Sequence, residues 1–338
     1  MRSAIIFLSI FTANVLAAPL NLCLGADGQG HICKREDGPD TTLNRREPIN
    51  ICLGADGQGY WSKFQRERPT IRFINTKDLN TKEFFGRDIP KYAILSHTWG
   101  DNEPTLQQWK TRRGRGATGD GVRKIHDACK QAAKQRYEWL WADTVCIDKT
   151  NHMELSEAIN SMYQWYRNAQ ECYALLQDVS DVNVKESKWF TRGWTLQELI
   201  APKLVTFFNK NWQSLGTRTT HEEDICEATG IDGRHIKVAN KKDEWLSIQA
   251  EPTIATKMSW VARRNTTKPE DRAYCMLGIF SINMPPLYGE GGERAFIRLQ
   301  EEITLTSNDQ TTFCWMRERE GKLVPEGSAS LLAPASEL

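Results

Sequence analysis

The chain of 338 residues is long enough for two ordinary domains, and its 44 basic residues are balanced by 43 acidic ones. That balance removes any overall electrostatic pull toward nucleic acid or an anionic membrane, so no nucleic-acid partner is expected. Nine scattered cysteines, odd in number and without a CxxC pair or histidines at zinc spacing, argue against a metal centre.

Residues 1–18 place Arg2 ahead of an apolar run from Ala4 to Phe11 and the small residues Ala17 and Ala18, the layout of a secretory signal peptide. The apolar run falls short of the roughly 20 residues that a stable membrane span needs. A duplication follows: NLCLGADGQG at 21–30 recurs with one change as NICLGADGQG at 50–59. Two glycine-rich copies have almost nothing to bury, so residues 19–68 read as a flexible leader.

From Thr70 to Phe85 the pattern gives two short strands around a turn near Lys77 and Asp78. Tyr92 to Trp99 is a mostly apolar run bounded by Pro90 and Gly100, which suits a buried strand. A polar loop with a basic run from Arg112 to Gly116 reads as solvated surface, and a helix is expected from Val122 to Gln135. The next strand candidate spans Tyr137 to Asp148. From Ser156 the pattern turns helical, with Ile159, Met162, Tyr163 and Tyr166 as a core stripe and Ser156 or Glu154 at its start. Cys172 to Leu176 and Leu204 to Phe208 are further strands, joined by a short helix from Gly193 to Ala201 that Pro202 stops.

Strands alternating with helices imply βαβ units and a mostly parallel sheet, over a domain placed at 70–210. Residues 211–316 read as a mainly helical region, with helices at His221–Thr229, Thr253–Arg263, Pro269–Phe280 and Glu293–Thr306, and 317–338 as a flexible tail. The Gly289 to Gly292 turn lacks the spacing and lysine of a phosphate loop and reads as a helix cap.

Ligands of parallel α/β sheets sit at the carboxyl ends of the strands. That edge would gather Ser96, His97, Thr98 and Trp99, then Asp143 to Asp148, then the loop opening at Trp189. Cys146 lies between Val145 and Ile147 and reads as a buried structural thiol rather than a nucleophile paired with His97. Trp194 and Glu198 are one helical turn apart. If both face the cleft, the indole could stack a flat cationic heterocycle while the carboxylate stabilises positive charge on an attached ribose. The alternative is packing for Trp194 and a surface pairing of Glu198 with Arg192.

The runs YAILSHTWG at 92–100, WADTVCIDK at 141–149, ELSEAINSMYQWYRNA at 154–169 and WFTRGWTLQELIAP at 189–202 closely resemble the fungal heterokaryon incompatibility (HET) domain. The resemblance continues through EDRAYCMLGIF at 270–280 and LYGEGGERAFIRLQEEI at 287–303. It implies a role in vegetative incompatibility, non-self recognition and regulated cell death. It also implies a distant likeness to Toll/interleukin-1 receptor (TIR) domains, many of which cleave NAD with a glutamate four residues after a tryptophan. On that basis the fold expected is α/β, a TIR-like mostly parallel sheet flanked by helices and followed by a mainly helical C-terminal region. Glu198 is the candidate catalytic residue, and Ser96, Trp99, Asp143, Arg192 and Trp194 are the candidate substrate-binding residues. NAD is the candidate substrate, with no cofactor and no metal. The partners implied are further copies of the chain or other incompatibility and NLR-type proteins, in the cytoplasm. The signal-like segment conflicts with that location, whether it is a gene-model artefact or a real secretion signal. The competing function is a self-associating signalling module without chemistry.

Overall fold

The computed structural model describes residues 22–24, 30–32, 70–112, 119–180, 183–236, 251–314, 316–319 and 322–325. The signal-like segment, the second copy of the duplication, the glycine-containing part of the basic loop and the end of the tail lie outside the described residues.

Two compact units are present, 1–67 and 68–338. In the first, β1 (Leu22–Leu24), within the leading copy of the duplication, runs antiparallel to β2 (Gly30–Ile32), with Cys23 opposite His31.

The second unit is built on seven strands: β3 (Ile71–Asn75), β4 (Thr81–Phe84), β5 (Tyr92–His97), β6 (Trp139–Trp141), β7 (Glu171–Leu176), β8 (Val205–Asn209) and β9 (Ser214–Thr217). Their order is β4-β3-β6-β5-β7-β8-β9. The central pairs β6·β5, β5·β7 and β7·β8 are parallel, and the outer pairs are antiparallel. The α/β fold expected from the alternation of strand and helix patterns is therefore present. β5, β7 and β8 are buried along their whole length, as strands covered on both faces must be.

After β5 the chain turns to β6 on one side, then crosses back to β7 on the other. This reversal makes the carboxyl ends of β5 and β7 the switch point of the sheet, where open α/β folds leave a crevice.

The helices are α1 (Leu106–Arg112), α2 (Asp120–Lys134), α3 (Asp143–Cys146), α4 (His152–Asn168), α5 (Thr195–Ile200), α6 (Glu222–Thr229), α7 (Gly233–Ile236), α8 (Ile254–Ala262), α9 (Asp271–Tyr274), α10 (Leu277–Phe280) and α11 (Gly292–Thr306). Several differ from the sequence expectation for identifiable reasons. The strand expected over 137–148 ends at Trp141, because the N–H groups of Val145 and Cys146 turn back onto the Ala142 carbonyl and form α3. Helix α4 starts earlier than Ser156: Asn151 caps it by accepting from the N–H groups of Met153 and Glu154. Glu154 instead binds Arg72, at 2.6 Å. The single helix expected over 269–280 is two short ones, α9 and α10. Within the region expected to be helical, β9 adds to the sheet edge, and in the expected tail β10 (Met316–Arg319) pairs with β11 (Lys322–Pro325). Leu106 and Trp109 of the unanticipated α1 are both buried.

The C-terminal helices pack directly on the sheet unit. Gly278 of α10 leaves no room for a side chain, since an added Cβ would overlap Tyr163 of α4. Gly278→Val is therefore expected to lower stability by roughly 1–3 kcal/mol, the usual cost of overpacking a close helix contact. Denaturant unfolding checks this, and an unchanged midpoint would show that the two helices separate freely.

Candidate active site

At the end of β5, the buried Ser96 hydroxyl donates to Oε2 of Glu198 and receives the Trp189 indole N–H at 2.8 Å. The two contributing segments are brought to β5 by local signals. Ser187 caps the short 3-10 turn Lys188–Thr191 by accepting from the Trp189 N–H, and Ser187 and Lys188 are both anchored on Asp178, each at 2.7 Å. Trp189 and Phe190 stack edge to face in the core, as their apolar character predicts. The indole N–H of Trp189 also belongs to the Ser96 and Glu198 network, which nothing local in the sequence signalled.

Glu198 sits in the first turn of α5 and is 8% exposed. Burial raises its carboxyl to about 8, and the nearby charge of Asp143 pushes the same way. Hydrogen bonds from Ser96 and Tyr166, and the charge of Arg192, oppose the shift and lose to desolvation.

Helix α5 is too short to stand alone, and two buried arginines hold it. Arg264, 4% exposed, donates to the Arg192 carbonyl at 2.9 Å and to Thr195 Oγ1 at 3.0 Å. Arg218, 3% exposed, donates to the carbonyls of Leu199 and Pro202. Burial pulls both guanidinium groups down to about 10. At the start of α5, the Gly193 N–H bonds the Asn265 carbonyl at 2.9 Å and the Asn265 N–H bonds the Thr191 carbonyl at 2.6 Å. A side chain at 193 would run into Thr266 and the thiol of Cys275.

The candidate residues fall into four groups. Ser96 and Glu198 touch. Trp99 and Asp143 touch each other, with the indole N–H donating to Oδ2 at 2.8 Å. Arg192 lines, with Thr98, Trp99, Gln177 and Lys188, a cleft of about 390 Å³ at the switch point. Trp194 is engaged elsewhere, its side chain hydrogen-bonding the Asp271 carboxyl of α9, which Tyr288 also contacts at 2.8 Å. Trp194 and Glu198 are thus bound to different partners, one in the C-terminal helices and one on β5.

Sequence reasoning missed a second buried cluster beneath Trp99. Lys124 bonds Glu103 and the Thr98 carbonyl, while Glu103 accepts the Gly100 N–H at 2.9 Å and lies 3.5 Å from His97. Burial works against the charge of Glu103, but His97, Lys124 and the Gly100 N–H hold its carboxyl down to about 2. The cluster fixes the loop that carries Trp99. Its one sequence signal is a lysine directly preceding Ile125 on an otherwise apolar helix face. Cys146 is confined to its own turn, accepting the Ala142 N–H, and burial pushes its thiol up to about 12. Among the described residues no group of His, Cys, Asp or Glu side chains is arranged to hold a metal ion, and no helix is long and apolar enough to cross a membrane.

The model of the family described as heterokaryon incompatibility protein (HET) matches residues 92–183. That span contains Ser96, Trp99 and Asp143 and ends before Arg192, Trp194 and Glu198. The vegetative incompatibility protein HET-E-1 of Podospora anserina is 42% identical over 235 residues, which is 66% of this chain and 17% of that protein. The chain thus spans about a sixth of the length of this relative. No solved structure matches. Of the cleft's lining, Thr98, Trp99, Gln177 and Asp178 fall within the matched span, and over that span the chain carries a heterokaryon incompatibility (HET) domain.

Proposed function

We propose that the chain is an effector of vegetative incompatibility that drives regulated cell death by hydrolysing NAD inside the cell. The observation that supports this reading most is the Glu198 carboxyl, held by Ser96 at the switch point, with an exposed indole and a cationic cleft at the same strand ends. The C1′–N bond to nicotinamide breaks, its electron pair leaves with the ring nitrogen, and nicotinamide departs neutral without a general acid. An ionised Glu198 would stabilise the positive charge on the ribose until water adds to C1′ and releases a proton to solvent. Arg192 and Lys188 would hold the pyrophosphate.

A second reading, a self-associating module without chemistry, has one observation in its favour. Glu198 is buried and does not line the switch-point cleft. In that reading Ser96 and Glu198 serve as a buried polar tie, and further copies of the chain or NLR-type incompatibility proteins receive the signal.

Purified protein incubated with NAD separates the two. The hydrolytic reading predicts nicotinamide release that falls about 100-fold or more in Glu198→Gln and rises with pH through about 8, as the carboxyl ionises. If neither protein releases nicotinamide, even when clustered through a fused tetramerisation segment, the hydrolytic reading is wrong.

A stability measurement reads the same carboxyl without turnover. Below about 4.5, the ordinary glutamate value, Glu198 is protonated both folded and unfolded. Between 4.5 and about 8 the unfolded chain ionises while the folded one keeps its proton, so stability declines with pH and levels off above 8. Glu198→Gln lacks this slope, and its advantage should grow to at most about 5 kcal/mol at alkaline pH. Parallel stability profiles for the two proteins across this range would contradict the burial assigned to Glu198.

A further inference from the structure

Trp99, just beyond β5, is 48% exposed and lines the switch-point cleft. Its indole N–H is fixed on Asp143, and the ammonium of Lys149 lies over its ring, 3.6 Å from the centroid. The same ammonium is 3.9 Å from the Asp143 oxygen that accepts the indole N–H. An aromatic face with a carboxylate at its rim is a cation-binding surface, and here it already holds a cation supplied by the chain.

We propose that the Trp99 face, with Asp143, is a binding site for a flat organic cation of the pyridinium class, and that Lys149 is its built-in occupant, displaced when the ligand stacks. The inference deepens the proposed NAD chemistry and rests on it for the choice of ligand. It also moves the ring-stacking role to Trp99 and Asp143, away from Trp194, whose indole is committed to Asp271.

Three features favour a pyridinium over another ammonium. The half-exposed indole offers a flat face rather than a cage. A delocalised ring cation carries a weaker hydration shell than an ammonium, so it loses less on entering a partly dry corner. Burial already holds the Lys149 ammonium below the usual lysine range, so the resident cation is the less comfortable of the two. The cleft continues from Trp99 to Lys188 and Arg192, which can receive a phosphate borne on the same ligand.

The test uses 1-methylnicotinamide, a cation, and nicotinamide, its neutral ring counterpart. Each is titrated into the full chain by calorimetry and by NMR of the indole N–H signals, for the parent, Lys149→Met and Trp99→Leu. Removing the resident ammonium should tighten binding of the cation by about tenfold and change the neutral ring by less than about twofold. Trp99→Leu should abolish the preference for the cation. If that variant melts abnormally, Trp99→Phe, with a weaker face, should give intermediate binding. Equal cation affinity in the parent and Lys149→Met, or a cation preference that survives Trp99→Leu, overturns the proposal. Because no bond is broken in this assay, selective cation binding without NAD cleavage would reject hydrolysis alone. Glu198-dependent cleavage without cation selectivity would reject this site alone.

Discussion

The hydrogen bond from Ser96 to Glu198 is the constraint around which the rest of the unit is arranged. It joins the end of the central strand β5 to helix α5, two segments 102 residues apart in sequence. A carboxyl buried this deeply loses hydration that two hydroxyls do not replace, which is why desolvation prevails over the hydrogen bonds from Ser96 and Tyr166. The protein keeps the group in place by neutralising it at ordinary pH. In that state the carboxyl can also donate a hydrogen bond, so the network of Trp189, Ser96, Glu198 and Tyr166 stays satisfied.

Holding Glu198 there requires a helix of six residues to stand where its sequence alone would not hold it. The solution comes from outside the expected 70–210 domain. Arg218 follows β9 and takes the carbonyls at the carboxyl end of α5, while Arg264 follows α8 and takes the Arg192 carbonyl and the Thr195 hydroxyl before and within its first turn. Asn265 pairs with the backbone on both sides of Arg192, and Asp271 binds Trp194. A boundary at 210 would sever every one of these ties. Residues 68–338 accordingly form one compact unit, and the helical C-terminal part is structural support for α5 rather than an appendage.

What was legible in the sequence follows the range of the forces involved. β5, β7 and β8 were readable because strands buried on both faces are continuous apolar runs. The placing of Ser96, Trp99 and Asp143 at one edge followed from strand alternation with crossover helices. Helix α3 was not readable, because Asp-Thr-Val-Cys continues the apolar run of β6 and only the return to the Ala142 carbonyl makes it helical. The start of α4 was missed although Asn151 with Glu154 has the spacing of a capping box, since Arg72 takes the glutamate that would complete it. The partner of Trp194 lies 77 residues away, and no local pattern encodes it. Helical spacing placed Trp194 and Glu198 one turn apart, but tertiary partners decided what each side chain binds.

The same ties set an energetic condition on any chemistry at Glu198. Glu198 does not line the cleft, and any movement of the start of α5 toward it would give up the hydrogen bonds to Asn265 and Arg264, each contributing on the order of 1 kcal/mol. Stacking one ring cation on Trp99 yields about 0.5–2 kcal/mol, less than the set of ties together. Ligand binding at the exposed indole therefore cannot open α5 by itself. Moving α5 would need a second source of free energy.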